Sequence, residues 1–455
     1  MGPSSLPKRV VHSIMNCRSN RTDEVKQKTE AFVELLQSES IRTGELRRLC
    51  IHGCPDSLGI RSTCWKLLLN YLPPHRDARS AKLSSCRVEY ASYVDDFVIE
   101  TGTTESSDHP LSSSPGGDWI TYFNDNRVLL QINRDCRRLC PDFDFFHRVT
   151  DFPGFKLFGR NCSVGILRRR IESSFLQVLS RFSVFELCHA VNRNLVGVVN
   201  MIDMPKYDPF LPMNSLSSGL AESCTLSTTL EDGNNAGGPD PGSVGNDRSA
   251  KTPSAEEHWE VIERILFIYY KTHTGQGYVQ GMNELIAPIY FVFATDPDEQ
   301  CRQWAEADTF YCFNNLMTEV HPNFIRNLDG GQVQGIGGQI RLLIDLLGRT
   351  DPHLLEHLSR LGLEPEHYAF RWLSLLLARE FVLPDVIRLW DTLFSDEHRF
   401  AMVPFVCCAM LVLIRDQLLA ADFPNAVHLV QHYPPTIPLI SVLSKAQALY
   451  VKCIK

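Results

Sequence analysis

The stretch SAEEHWEVIERILFIYYKTHTGQGYVQGMNELIAPIYFVF, Ser254 to Phe293, holds two helix-forming runs around one glycine-rich corner. In the first run, apolar residues recur at helical spacing through Tyr270, and Ser254 with Glu257 has the spacing of a capping box. The second run, MNELIAPIYFVF, reads as an apolar helix. Between them Gly275 and Gly277 mark a turn. If the chain leaves that turn extended, Tyr278 and Gln280 share one face while Val279 points the other way. Gly281 then lets another backbone come close. An uncharged amide on such a corner is no strong acid or base, but it can donate to and accept from one water at once. The plainer reading is that Gln280 caps the following helix.

Working outward, the same periodicity recurs. NDNRVLLQINRDCRRLCP (Asn124 to Pro141) puts Val128, Ile132, Cys136 and Leu139 on one face, offers Asn124 and Asp125 as caps, and ends near Pro141. The last third is helix after helix: HYAFRWLSLLLAREF, LPDVIRLWDTLF and FVCCAMLVLIRDQLLAADF. Few stretches alternate as strands do, so the expected class is all-α. Two polar tracts, Glu100 to Asp118 and Asn214 to Ser254, lack the apolar residues that would offset the entropy of ordering them and read as loops, the second as disordered. Ser173 to Met204 is apolar without a clear period.

Composition narrows the function. With 455 residues, 44% hydrophobic and 22% charged, the chain can bury a sizeable core, and a formal net charge of -8 gives no electrostatic reason to bind nucleic acid. The 15 cysteines include no C-x-x-C pair, which points to reduced thiols and a cytoplasmic setting. Arg415 and Asp416 close the apolar run AMVPFVCCAMLVLI before it could cross a bilayer, so no transmembrane segment is expected. The first twenty residues have no apolar secretory core, and Leu6 stands where a myristoylation motif wants Ser or Thr.

The helix around INRDCRR carries the second candidate. Asp135 and Arg138, three apart, are neighbours on a helix surface, and Arg138 lies in the last turn before Pro141. A carboxylate can steady such a guanidinium while it projects past the helix end, the arrangement a phosphate-seeking arginine needs. A surface ion pair worth under about 1 kcal/mol has the same spacing.

INRDCRR fits I-x-x-D-x-x-R with Ile132, Asp135 and Arg138; YVQG fits Y-x-Q with Tyr278 and Gln280. In this order the two motifs resemble the TBC domain of Rab GTPase-activating proteins. GCPDSLGIRSTCWKLLLNYLP, with Arg61 and Trp65, and YAFRWLSLLLAREFVLPDVIRLWDTLF, with Arg371, Trp372, Trp390 and Asp391, resemble further parts of it. Thr274 stands where the family often has proline. The resemblance implies a TBC-type domain of two helical subdomains over residues 44–425, interrupted by a long low-complexity insertion at about 155–254, with an N-terminal extension (1–43) and a C-terminal helical tail (426–455). It also implies a GTPase activator that completes the active site of a GTP-bound Rab-family partner in trans and so regulates vesicle trafficking, with peripheral, transient membrane association. Arg138 would be the arginine finger and Gln280 the glutamine finger. Asp135 would hold Arg138, Ile132 would anchor the helix, and Tyr278 would shape the loop and meet the Rab. Magnesium and GTP would belong to the partner, leaving this chain without a metal or cofactor of its own. The alternative is a Rab-binding module without catalysis. HLLEH, with His353, Glu356 and His357, matches a zinc-protease pattern, but two solvated histidines explain it as simply.

Overall fold

A computed structural model of the chain describes residues 25–99, 118–159, 164–180, 255–324 and 335–454. Helices α1 (25–37) and α2 (Thr43–Cys50) lead into α3 (Ile60–Leu68) and α4 (Arg76–Phe97). Next come α5 (Asp118–Cys136), α6 (Val164–Ser180), α7 (His258–Thr272), α8 (Met282–Ala294) and α9 (Ala305–Val320). The chain ends with α10 (Ile336–Thr350), α11 (Pro352–Leu361), α12 (Leu383–Ser395), α13 (Val403–Leu413) and α14 (Leu439–Ile454), with shorter helical turns between. Among the described residues there are no strands, only the isolated bridges Ser40 to His75 and Val149 to Glu257. The all-α expectation holds.

α7 is the axis of the fold. Every residue from Trp259 to Tyr269 is buried, Glu260, Glu263 and Arg264 included. A helix buried all round must have neighbours on every side, and α5, α8 and α9 supply them. A second group forms where α13 packs on α10 and α14, and α12 runs between the groups, touching α2, α3, α8 and α14. One continuous apolar core joins them. Charges inside it are paired. Asp308 accepts from Lys66 Nζ (2.6 Å), Tyr71 Oη (2.9 Å) and Arg87 (3.0 and 3.1 Å). Burial alone would raise its carboxyl, but Lys66 and Arg87 hold it below the usual range. Arg264 donates twice to Glu306 at 2.7 Å and also pairs with Glu256.

Several boundaries differ from the sequence expectation, some because a polar residue found a partner far along the chain. α5 starts at Asp118, and Asp125 lies inside it, accepting from Lys271 at 2.5 Å, so Asn124 and Asp125 are not its caps. α7 starts at His258 with Glu257 as cap, whose N–H donates to Glu260 at 2.9 Å; Ser254 lies outside the described residues. The insertion begins later than residue 155. The compact unit continues through Val178 and resumes at Ala255, because Arg168 meets Glu260 at 2.6 Å and Arg170 meets Asn126 at 2.9 Å, which lets Ile166 and Leu167 bury. The tract from Asn214 to Ser254 and most of the stretch from Ser173 to Met204 lie outside the described residues. Residues 25–43 are more than an extension, since Phe32 is fully buried, and α14 is a packed element rather than a tail, with Val442 and Ala446 in the core. The expected helix through LSLLLAREF breaks after Ser374. Leu376 and Leu377 take φ of 48° and 62°, and the bend is held by Trp390 Nε1 donating to the Leu376 carbonyl (3.0 Å) and by Arg371 on Glu380 (2.8 and 2.9 Å).

The corner between α7 and α8 is locked at both ends. Tyr269 Oη donates to Gln276 Oε1 at 2.6 Å, and the N–H groups of Gln276 and Gly277 both reach the His273 carbonyl at 3.0 Å. Gly281 caps α8 with φ of 102°, and a Cβ there would lie 2.8 Å from Leu375 Cδ2. A side chain, rather than the expected backbone, makes the close approach. Gly281→Ala is expected to lower stability by more than about 1 kcal/mol, read as a fall in the denaturant midpoint. Behind the corner, Glu263 accepts from Asn133 Nδ2 at 2.9 Å, and burial pushes its carboxyl up to about 8. The unfolded chain releases this proton near 4.5 and the folded protein near 8, so stability falls as pH rises between the two. Glu263→Gln keeps an acceptor for Asn133 and is expected to flatten that limb of the stability profile. An unchanged profile would mean that Glu263 is ionised in the fold.

Candidate functional site

The end of α5 and the corner before α8 meet at one carboxylate. Asp135 has a side chain only 3% exposed. It accepts from Gln131 Nε2 (3.1 and 3.2 Å) on the preceding turn, from Arg138 Nη2 (3.2 Å) on the following one, and from Tyr278 Oη (2.8 Å) on the corner. Its backbone carbonyl takes a further bond from Asn283 Nδ2 at 3.3 Å, in the first turn of α8. A buried carboxylate without such donors would carry a large desolvation cost; with them it fixes three segments at one point. Ile132, one turn back, is fully buried and holds this end of α5 in the core.

Arg138 leaves the helix at this point. α5 ends at Cys136, and Arg138 Nε donates to the Arg134 carbonyl at 3.0 Å while Nη2 rests on Asp135. Its side chain remains 45% exposed, and Nη1 has no protein partner among the described residues. The guanidinium is therefore tethered on one side and open to an anion on the other. Gln280 is exposed, and its amide makes no hydrogen bond among the described residues. No side chain caps the start of α8, so the helix-cap reading of Gln280 does not describe this structure.

Tyr278 and Gln280 do not share a face as the extended reading expected. Tyr278 is half-buried, with burial and the neighbouring Asp135 raising its hydroxyl far above the usual value, while Gln280 stands in solvent. Gly277, at φ of 70°, and Gly281, at 102°, turn the chain on either side of this pair. All five expected site residues thus fall at one place: Ile132 beneath, Asp135 and Tyr278 joining the segments, Arg138 and Gln280 exposed. Gln131 and Asn283 were not anticipated. Gln131 sits at the i,i+4 spacing to Asp135 that allows the contact, but Asn283 carries no sequence signal beyond its place after the corner. His353, Glu356 and His357 form no metal-ligating cluster among the described residues.

Comparison with known proteins is consistent along the chain. Residues 246–419 match the Rab-GTPase-TBC domain, a span that includes Gln280 but not Arg138. The chain is 40% identical over 435 residues to TBC1 domain family member 13 of Homo sapiens, covering 93% of this chain and 98% of that one. It is 31% identical to a TBC domain-containing protein of Schizosaccharomyces pombe, covering 91% and 71%. Its fold is similar to the crystal structure of the Ypt/Rab-GAP domain of Gyp1p, with a TM-score of 0.59, 21% identity, and coverage of 95% and 99%. With nearly the whole of its human relative aligned and an all-helical fold of the same kind, the chain belongs to the Rab-GTPase-TBC domain family.

Proposed function

We propose that this chain is a GTPase-activating protein for a Rab-family GTPase in its GTP-bound state, with Arg138 and Gln280 entering the partner's active site together. The observation that carries the proposal is the shared Asp135 carboxylate, which binds both Arg138 and the tyrosine two residues before Gln280. Two exposed groups fixed to one buried point keep a set spacing, and phosphoryl transfer is catalysed largely by positioning and electrostatics. The Arg138 fork neutralises charge on the transferring phosphoryl group. The Gln280 amide orients the attacking water, its oxygen accepting a hydrogen bond from that water. Magnesium and nucleotide are the partner's, and this chain adds no cofactor to the reaction.

Work on vesicle trafficking from the cytoplasmic side follows from this reading, with peripheral and transient contact to a membrane. No helix among the described residues is long and apolar enough to cross a membrane.

Single-turnover GTP hydrolysis over a panel of Rab proteins tests the assignment. Arg138→Lys keeps the charge but loses the planar fork and is expected to fall about a thousandfold, nearly as far as Arg138→Ala, with an unchanged melting temperature. Near-normal rates for the lysine variant would remove the finger role. Gln280→Ala is expected to lose most stimulation without losing stability, because its amide has no partner in the fold. Since both groups act on one transition state, the double alanine variant is expected to be little worse than the poorer single one. Partner binding without faster hydrolysis in the unmodified protein would leave a binding module instead.

A further inference from the structure

Cys50, the last residue of α2, Cys54 in the loop after it, and Cys64 on α3 place their sulfur atoms within 4.8 Å of one another. All three are buried and none is in a disulfide. An equilateral triangle of that edge holds each sulfur about 2.8 Å from its centre, and thiolate sulfur bonds a metal of this kind at about 2.3 Å. An inward shift of about 0.5 Å per sulfur closes the set.

The loop that joins two of those sulfurs is ringed by positive charge. Three cations grip its carbonyl oxygens: Arg388 Nη2 on Ile51 (3.4 Å), Lys28 Nζ on His52 (2.9 Å) and Arg61 Nη2 on Cys54 (2.6 Å). Gly53, at φ of 91°, makes room for Arg388, whose Nε would lie 2.8 Å from a Cβ there. Two carboxylates lie nearby: Asp391 is occupied by the Cys54 N–H (2.8 Å), the Trp65 indole (2.8 Å) and Arg61, and Asp56 pairs with Arg61 from the exposed side. Neighbouring positive charge favours thiolates and offsets the cost of burying them.

We propose that Cys50, Cys54 and Cys64 form a three-coordinate thiolate site for copper(I). Zinc takes four ligands in structural sites, and among the described residues no fourth cysteine, histidine or carboxylate joins this cluster. Three soft sulfurs in a dry pocket suit a soft monovalent ion instead. On binding, copper stays monovalent and displaces the protons still held by the thiols, which leave to solvent. The site lies against α12, apart from Asp135, so the metal fastens α2 to α3 and takes no part in hydrolysis.

The reduced, metal-free full chain, titrated with copper(I) against bicinchoninate under argon, tests this. Expected are one equivalent retained, a raised melting temperature, and X-ray absorption showing three sulfurs at about 2.3 Å. Cys64→Ser is expected to release that equivalent and Cys453→Ser, at an exposed position near the C-terminus, to keep it. Lys28→Gln, which removes one cation of the collar, is expected to weaken binding about tenfold. Should Cys64→Ser fail to fold, the sulfur count in the unmodified protein decides. No retained copper, an equivalent that survives Cys64→Ser, coordination by fewer than three sulfurs, or stoichiometric zinc with four donors would each overturn the proposal.

Discussion

The geometry of the candidate site depends on one buried carboxylate. Asp135 cannot sit in the interior unless its oxygens are met by donors, and those donors come from α5 itself, from Arg138 just past its end and from the corner before α8. The desolvation cost that makes an unpaired carboxylate unstable here is what draws the segments together. Arg138 and the Gln280 corner need no direct contact with each other. Their relation is set through Asp135, and the bond from Asn283 to the Asp135 carbonyl extends it into α8.

The same principle holds the scaffold. Asp308, Glu306 and Asp391 each collect donors from segments distant in sequence, and each is nearly sealed from solvent. Apolar burial supplies most of the stabilisation, but it is not directional. The paired charges specify which helix face meets which. α7 shows this most clearly, with Glu260, Glu263 and Arg264 on a helix that has no solvent face and each finding its partner on a different neighbour.

Much of this was legible in the sequence because it is local. The 3.6-residue pattern gave the helices around Ile132 and Trp259, and the i,i+3 spacing gave the pair of Asp135 with Arg138. The order of the two motifs pointed to the family. What was not legible depends on partners far along the chain. Asp125 looks like a cap until Lys271 is beside it, and the insertion taken to begin at about 155 begins later once Arg168 and Arg170 meet Glu260 and Asn126. Tyr278 turning inward while Gln280 faces out was hidden for the same reason, since a period-two reading assumes a strand with no outside claim on either side chain. Cys50, Cys54 and Cys64 escaped because their spacing follows no familiar ligand motif, and only the packing of α2 on α3 brings them together.

The long sequence separations have a consequence for how the chain acquires this structure. The partners of Asp308 lie 221 to 242 residues before it, and Trp65 waits for a carboxylate 326 residues later. A ribosome delivers α3 long before it delivers α12. Until then the part of α3 that meets α12 has no neighbour, and closing so large a loop is slow because its entropy must be overcome before any contact compensates. This segment therefore emerges with a lysine and a tryptophan whose partners follow only 242 and 326 residues later. During that interval they are surfaces for a chaperone to cover, and assembly is expected to finish after release rather than during elongation.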